Sequence, residues 1–160
     1  MTEDNFISCV KRNKDRLYLI AFSYMGRQFD AEDAVQIVFL KLWKSETEFE
    51  DEVHIDKWLT KVCINECKRT LKYALSRFST PLEEEYAYPV FDNHSDNDLY
   101  TAVKSLKKNE RLVIHLFYYE DMSVKEISDL LGIKENAVKT RLHRARKSLK
   151  EILGEEWLSE

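Results

Sequence analysis

Apolar residues in the first half of the chain recur at intervals of three and four, the spacing that places them on one face of an α-helix. This pattern predicts a helix over residues 6–25 that ends at Gly26, a second over 30–45 capped by Asp30, and a third over 55–75. The predicted buried residues are Ala34, Val35, Val38, Phe39 and Leu42 in the second helix and Trp58, Leu59, Val62 and Cys63 in the third. Three helices of this length can close a small domain around one core.

The pattern breaks over residues 78–97, which contain both prolines and no sustained helical or strand period. We interpret this segment as a flexible linker. Helical spacing returns between residues 99 and 153, with Gly132 separating the last two of four helices. The sequence therefore predicts an all-α protein of two small helical domains. Their predicted bounds are 1–77, with three helices, and 98–160, with four.

The net charge of −4 hides an uneven distribution of charge along the chain. Residues 78–103 contain six carboxylates and no Lys or Arg, so the predicted linker is acidic. Residues 134–150, in contrast, contain seven Lys and Arg and one Glu. A DNA backbone responds to local charge rather than to the net charge of a protein, so the last helix is suited to a nucleic-acid partner.

Three cysteines, Cys9, Cys63 and Cys67, cannot all pair within the chain, and the sequence shows no signal peptide and no long apolar run. These features predict a reducing cytoplasmic location and no membrane insertion. Cys63 and Cys67 lie four residues apart with His54 upstream, but the further ligands that a zinc site needs are missing. We therefore expect no metal and no cofactor.

The stretch Ser123-Val124-Lys125-Glu126 has the residues of a capping box, in which the Ser hydroxyl and the Glu carboxylate each accept a backbone N–H from the other residue. Gly132 permits the left-handed turn that ends this helix, and another helix follows at once. These are the elements of a helix-turn-helix, whose second helix lies in the major groove of DNA.

Val138, Leu142, Ala145 and Leu149 define the buried side of that second helix. The opposite side carries polar residues near its start and cations further along, an order that suits base contacts followed by phosphate contacts. Its residues are Asn136, Lys139, Thr140, His143, Arg144, Lys147 and Lys150.

Residues 106–149 resemble region 4 of the extracytoplasmic-function sigma factors, the subunits that give bacterial RNA polymerase its promoter specificity. The similar motifs there are Asn109-Glu110-Arg111, Tyr118-Tyr119, Ser123–Glu126, Leu131-Gly132-Ile133 and the run from Val138 to Arg146. The first domain resembles region 2 of the same family. Its similar motifs are the run from Asp30 to Gln36, the run from Phe39 to Trp43, Trp58-Leu59 and Asn65. The two regions occur in the family's order, so the resemblance covers nearly the whole chain.

The resemblance implies a protein that is not an enzyme but binds core RNA polymerase, at its clamp helices and flap, and directs transcription initiation at promoter DNA. Region 2 would melt the minus-ten element, region 4 would read the minus-thirty-five element, and an anti-sigma factor is a further expected partner. The implied residues for minus-thirty-five reading are Asn136, Lys139, Thr140, Arg141, His143, Arg144 and Lys147. Those for minus-ten DNA are Phe49, Lys61, Asn65, Arg69 and Lys72, and those for polymerase binding are Asp33 and Gln36.

Four residues, Phe49, Ile37, Lys134 and Arg69, differ from the family pattern or allow a second interpretation. Phe49 lies in an acidic loop predicted over 46–54, where the family captures a flipped-out base, although a lone aromatic residue is often a core anchor. Ile37, Lys134 and Arg69 depart from the family pattern, which has an acidic residue, a capping Ser and an Asp at these places. The missing cap should cost about 1 kcal/mol, and Arg69 makes the third helix more basic.

Other functions stay open on the residues alone. A stand-alone helix-turn-helix regulator would bind an operator as a dimer, but the sequence shows no heptad seam and no effector-pocket motif. A helical module that only sequesters a protein partner is disfavoured by the basic reading face. An enzyme is disfavoured because no glycine-rich phosphate loop, nucleophile elbow or metal-ligand cluster is present.

Overall fold

The chain divides into two compact units, residues 1–87 and 88–160, which are described separately. The computed structural model describes residues 1–77 and 97–154, and within these ranges every regular element is a helix. The predicted all-α fold class is therefore confirmed. Most of the predicted linker, residues 78–96, lies outside the described residues.

The first unit is a three-helix bundle in which each helix contacts the other two. Helix α1 spans Glu3–Met25, α2 spans Gln28–Lys44 and α3 spans Glu52–Arg77. Its core contains the predicted stripe of α2, together with Leu17, Ile20, Phe22, Leu59, Cys63 and Ile64. Trp58 and Val62, which were predicted to be buried, are only partly covered. The periodic pattern thus identified the helices and most of the core.

The second unit is organised around its last helix. Helix α4 spans Asn97–Ser105, α5 spans Lys108–Ile114, α6 spans Val124–Leu131 and α7 spans Glu135–Leu153. Helix α7 contacts α4, α5 and α6, and its four predicted core residues, Val138, Leu142, Ala145 and Leu149, are all buried. Because one side of α7 is used by these contacts, its other side is available to a partner.

The start of α2 corrects the prediction that Asp30 caps this helix. Gly26 ends α1 with a φ of 71°, and Arg27, with an extended backbone, leads directly into α2, which begins at Gln28. Asp30 therefore lies inside the first turn, where its carboxylate is 3.2 Å from Nε of Arg27. Asp33 lies in the second turn, where the helix dipole acts on it less than on a residue of the first turn.

The start of α3 shortens the predicted acidic loop. The helix begins at Glu52, because Oδ1 of Asp51 accepts the backbone N–H of His54 at 2.7 Å and so caps the first turn. Thr2 does the same for α1 by accepting the N–H of Asn5 at 3.2 Å. Both capping residues are visible in the sequence, although periodicity alone placed the helix starts three residues late.

A π-helical turn, His115–Tyr119, continues α5 and was not predicted. The apolar spacing of residues 108–119 predicts a regular helix and carries no signal for the change in hydrogen bonding. After this turn Asp121 adopts a φ of 51°, a left-handed conformation that is uncommon for any residue other than glycine. The π turn and Asp121 together redirect the chain into α6.

Candidate nucleic-acid interfaces

The predicted capping box at the start of α6 is present. The Ser123 hydroxyl accepts the backbone N–H of Glu126 at 3.1 Å, and Oε1 of Glu126 accepts the N–H of Ser123 at 3.4 Å. At the other end Gly132 has a φ of 69°, and its N–H donates to the carbonyl of Ser128 at 2.9 Å. Both ends of α6 are therefore set by the residues that the sequence identified.

A contact that sequence reasoning missed closes the turn between α6 and α7. The Ser128 hydroxyl donates to the carbonyl of Ile133 at 2.5 Å, while the N–H of Ile133 donates to the carbonyl of Ser128 at 3.2 Å. The two residues thereby close a ring of hydrogen bonds across Gly132. This ring fixes the course of the chain from α6 into α7, which begins two residues later.

The polar stripe of α7 is exposed along its length. Asn136, Lys139, Thr140, His143, Arg144 and Lys147 are all solvent-exposed, whereas Arg141 is half-buried. The structure thus brings six of the seven predicted minus-thirty-five residues onto one open face. The Thr140 hydroxyl donates to the carbonyl of Asn136 at 2.9 Å, so its oxygen remains able to accept a hydrogen bond from a base.

Arg146, a basic residue of α7 outside the polar stripe, is half-buried and contacts the preceding π turn. Its Nε donates to the hydroxyl of Tyr118 at 2.8 Å, and its guanidinium lies 5.5 Å from the ring centre of Phe117 and 5.6 Å from that of Tyr118. A cation over an aromatic face is attracted by the ring quadrupole. Arg146 therefore joins α7 to the π turn. Its position in a basic run gave no sign of this role.

Lys134 lies before the first turn of α7 and forms no side-chain capping bond. This agrees with the prediction that the helix lacks the usual cap. Glu135 is nevertheless in the first turn, where its negative charge suits the positive end of the helix dipole.

In the first unit the predicted minus-ten residues of α3 share one exposed face. Lys61, Asn65, Arg69 and Lys72 are all exposed, at intervals of four, four and three residues. Glu66, beside them in sequence, is buried and was not singled out from the sequence. A charged residue in an otherwise cationic stretch gives no sequence signal of burial, so the geometry alone identifies it.

Glu66 bonds to two cations from two helices. Its Oε2 accepts a hydrogen bond from Nζ of Lys41, on α2, at 2.9 Å, and its Oε1 accepts one from Nη2 of Arg69. Burial by itself raises the pKa of this carboxyl, but the hydrogen bonds and charges of Arg69 and Lys41 outweigh burial and leave the pKa lowered. The carboxylate is therefore ionised at neutral pH. Arg69 is consequently not a free addition to the basic surface but one partner in an ion-paired cluster.

Phe49 belongs to an aromatic cluster at the start of α3. Its ring centre lies 5.6 Å from that of Trp58 and 5.3 Å from that of His54, in edge-to-face arrangements. Phe49 is half-buried, and the backbone N–H of the adjacent Glu50 donates to Nδ1 of His54 at 3.2 Å. The loop carrying Phe49 is thus held against the helix rather than extended away from it.

Asp33 and Gln36, the predicted polymerase-binding residues, are both exposed on α2. Three apolar residues share their stripe at intervals of three and four positions. These are Phe29, Leu40 and Trp43, with 76%, 56% and 50% of their surfaces exposed. Trp43 also contacts Phe6 of α1, with ring centres 5.0 Å apart. Exposed apolar side chains aligned on one helix favour a protein partner over solvent.

The cysteines are buried, and the Cys63 thiol donates to the carbonyl of Leu17 at 3.7 Å. Burial raises the pKa of Cys9, which keeps this thiol protonated. Over residues 1–77 and 97–154, three or more His, Cys, Asp or Glu side chains do not come together as a metal site would require. In the same ranges none of the helices has the length and apolar character needed to cross a membrane.

Two families match the two units. Residues 9–76 match "Sigma-70 region 2" and residues 96–149 match "Sigma-70, region 4". The chain is 29% identical over 160 residues to RNA polymerase sigma factor SigV of Bacillus subtilis, covering 99% of this chain and 96% of SigV. It is 30% identical over 153 residues to the RNA polymerase sigma-E factor of Streptomyces coelicolor, covering 92% and 85% of the two chains.

The ECF RNA polymerase sigma factor SigW of Bacillus subtilis is 26% identical over 168 residues, with 94% of this chain and 90% of SigW covered. Among solved structures, the fold matches sigma factor RpoE, determined in complex with the anti-sigma factor NepR from Bartonella quintana. The TM-score is 0.70 at 22% identity, with 93% of this chain and 96% of the other covered. The likeness extends over both units.

Proposed function

The chain belongs to the extracytoplasmic-function family of RNA polymerase sigma factors, and on this premise we propose which of its surfaces binds which partner. As a sigma factor it is a polymerase subunit rather than an enzyme, and its regions 2 and 4 serve promoter recognition. This family membership favours the sigma function over a stand-alone regulator.

Helix α7 reads the minus-thirty-five element in this proposal. The observation that carries it is the separation of α7 into four buried apolar residues on one side and an exposed polar stripe on the other, directly after a glycine turn. Asn136, Lys139 and Thr140 lie in the first turns, where a recognition helix meets base edges. Lys147 lies two turns further along, where phosphate is the expected contact.

The face of α3 and the Phe49 loop contact the minus-ten element. Lys61, Asn65, Arg69 and Lys72 offer charge and hydrogen bonds to a separated strand. Phe49 lies at the edge of this region, with Trp58 and His54 beside it. An aromatic cluster of this kind can stack an unpaired base, and stacking of one base on an aromatic side chain is worth roughly 1–3 kcal/mol.

The exposed stripe of α2 binds core polymerase. Asp33 and Gln36 give it polar selectivity, and Leu40 and Trp43 give it apolar area. The family pattern has an acidic residue where this chain has Ile37, which is half-buried. This part of the surface is therefore more apolar than in the family pattern. An anti-sigma factor is a further proposed partner, and the cytoplasm is the proposed location, because both the polymerase and its template are found there.

The proposal predicts that the purified chain binds promoter DNA weakly by itself and specifically when assembled with core polymerase. Two small domains must be ordered together before both promoter elements are contacted, and the polymerase surface offsets that entropic cost. The test begins with transcripts sequenced after overexpression, which identify a promoter, followed by transcription from it in vitro with and without the chain. Tight specific binding by the chain alone, unchanged by core enzyme, would contradict the proposal.

A further inference from the structure

We propose that Lys41 and Arg69, held together by the buried carboxylate of Glu66, form a phosphate-binding site for the separated DNA strand. The inference rests on the proposed function of α3. It adds Lys41, from the neighbouring helix α2, as a ligand of the strand, and it makes Glu66 a positioning residue that does not contact DNA itself.

The geometry leaves donors available for a ligand. Glu66 has no exposed side-chain surface, whereas Lys41 and Arg69 are 50% and 69% exposed. Glu66 accepts one N–H from Lys41 and, through Nε at 3.4 Å and Nη2, two from Arg69. An ammonium has three donors and a guanidinium has five, so most of their donors remain for another acceptor. Two cations and one carboxylate leave the cluster with a net positive charge.

Stability alone gives little reason for this arrangement. A buried ion pair loses solvation, and replacing it with apolar residues of similar volume is often neutral or stabilising. The carboxylate instead orders the side chains of Lys41 and Arg69, because it holds these two long side chains from different helices in one place. Side chains ordered before binding lose less entropy when a ligand arrives. The cluster as a whole therefore adds little stability over an apolar replacement, although removal of Glu66 alone would break both ion pairs. The distinctive contribution of Glu66 is to present the two cations.

The surrounding charge favours nucleic acid over an acidic protein segment. Residues 57–77 contain six Lys and Arg and a single carboxylate, Glu66, which is buried. The exposed side of this stretch therefore has no negative charge to repel a phosphate backbone. Lys61 and Lys72 extend the same face in both directions along the helix, as suits a strand that makes several phosphate contacts.

The experiment measures the affinity of holoenzyme, made with the full chain, for a fork-junction fragment of a promoter identified by transcript sequencing. Affinity is measured at several salt concentrations. The variants are Lys41→Gln, Arg69→Gln, Arg69→Lys and Glu66→Gln, with Lys14→Gln, an exposed cation on α1, as the control. We expect Lys41→Gln and Arg69→Gln each to weaken binding about fivefold near 0.1 M salt and to lower the salt slope by about 0.7, the loss of one contact to a single strand.

Glu66→Gln tests whether Glu66 weakens DNA binding by repulsion or strengthens it by positioning the two cations. If Glu66 only repelled DNA, removing its charge would tighten binding, but a positioning role predicts about threefold weaker binding because both cations lose their anchor. Arg69→Lys, which keeps the charge and a donor, should retain the wild-type salt slope. Folding of Glu66→Gln is checked by circular dichroism. If that variant is unfolded, the decision passes to the exposed variants Lys41→Gln and Arg69→Gln.

Unchanged affinity and salt slope in Lys41→Gln and Arg69→Gln would overturn the inference, as would tighter binding by folded Glu66→Gln. Loss of holoenzyme assembly in these variants would also overturn it, since the cluster would then contact protein. Failure of the proposed function looks different, because wild-type holoenzyme would then give no transcription from any promoter. Lys14→Gln should behave as wild type in every measurement.

Discussion

The exposed faces of α3 and α7 have the same spacing but differ in how their side chains are held. Lys61, Asn65, Arg69 and Lys72 on one helix and Asn136, Thr140, Arg144 and Lys147 on the other are separated by four, four and three residues. Arg69 is held by a buried carboxylate, whereas no described side chain pairs with Arg144. In the proposed roles, Arg69 has its remaining donors for a phosphate, whereas Arg144 has all five donors for a base edge. Spacing alone therefore does not define what a basic helix recognises.

Helices α3 and α7 are each positioned by the core of their own unit. Substitutions in either core should therefore destabilise only that unit, and these are the largest effects that we expect. Leu142→Ala, at a residue 2% exposed, should destabilise the second unit by about 2–5 kcal/mol and leave the first intact. Leu59→Ala, at a fully buried residue, should do the reverse. Amide hydrogen exchange measured separately over 1–77 and 97–154 reports each effect. Equal loss of protection in both units from either substitution would contradict this view.

A second prediction is that Arg144 and Lys147, on the same exposed face of α7, contact different parts of the DNA. Arg144→Ala should weaken binding to the preferred minus-thirty-five element more than to scrambled DNA, because a bidentate guanine contact discriminates by roughly 1–3 kcal/mol. Lys147→Ala should weaken both about equally and reduce the salt dependence by about one counterion. The measurement is holoenzyme affinity for each DNA at several salt concentrations. Equal losses for Arg144→Ala on both DNAs would make it a backbone contact instead.

A third prediction concerns the pH dependence that only the α3 face should show. Because the pKa of Glu66 is lowered on folding, its charge contributes stability that is complete above the ordinary carboxyl pKa of about 4.3 and is lost as the pH falls through the lowered value. Glu66→Gln should therefore cost about 1–3 kcal/mol at neutral pH and progressively less in acid. Urea unfolding from about pH 6 to about pH 3 measures this. Glu32→Gln, at an exposed residue, should show no such convergence.

The smallest expected effect concerns the start of α7. Lys134→Ser should supply the missing cap and stabilise the second unit by about 1 kcal/mol, measured as a rise in its melting temperature. If Lys134 also contacts phosphate, the same substitution should lower the affinity for DNA and the salt slope. A more stable variant with unchanged DNA binding would show that Lys134 does not contact phosphate.

Most of the second unit could be predicted because its signals are local. A capping box, a glycine turn and four apolar residues at helical spacing each depend on neighbours in sequence, so the start of α6, its end and the buried side of α7 were all correctly placed. The starts of α1 and α3 lie three residues before the predicted positions, because their caps, Thr2 and Asp51, are single polar residues that hydrophobic spacing does not report. The prediction that Asp30 caps α2 was wrong for a related reason, because hydrophobic spacing does not show that two residues, Gly26 and Arg27, suffice between α1 and α2.

Local patterns in the sequence were sufficient to predict the all-α fold, the helix-turn-helix and the polar side of α7. Tertiary packing determines which charged side chains pair with other groups of the protein. Glu66 is buried because α2 packs against α3 and brings Lys41 to it, and Arg146 is used within the second unit because the π turn places Phe117 and Tyr118 beside it. Each of these contacts joins residues far apart along the chain. Hydrophobic periodicity reports which side of a helix is buried, but the partner of a charge depends on how the helices are packed together.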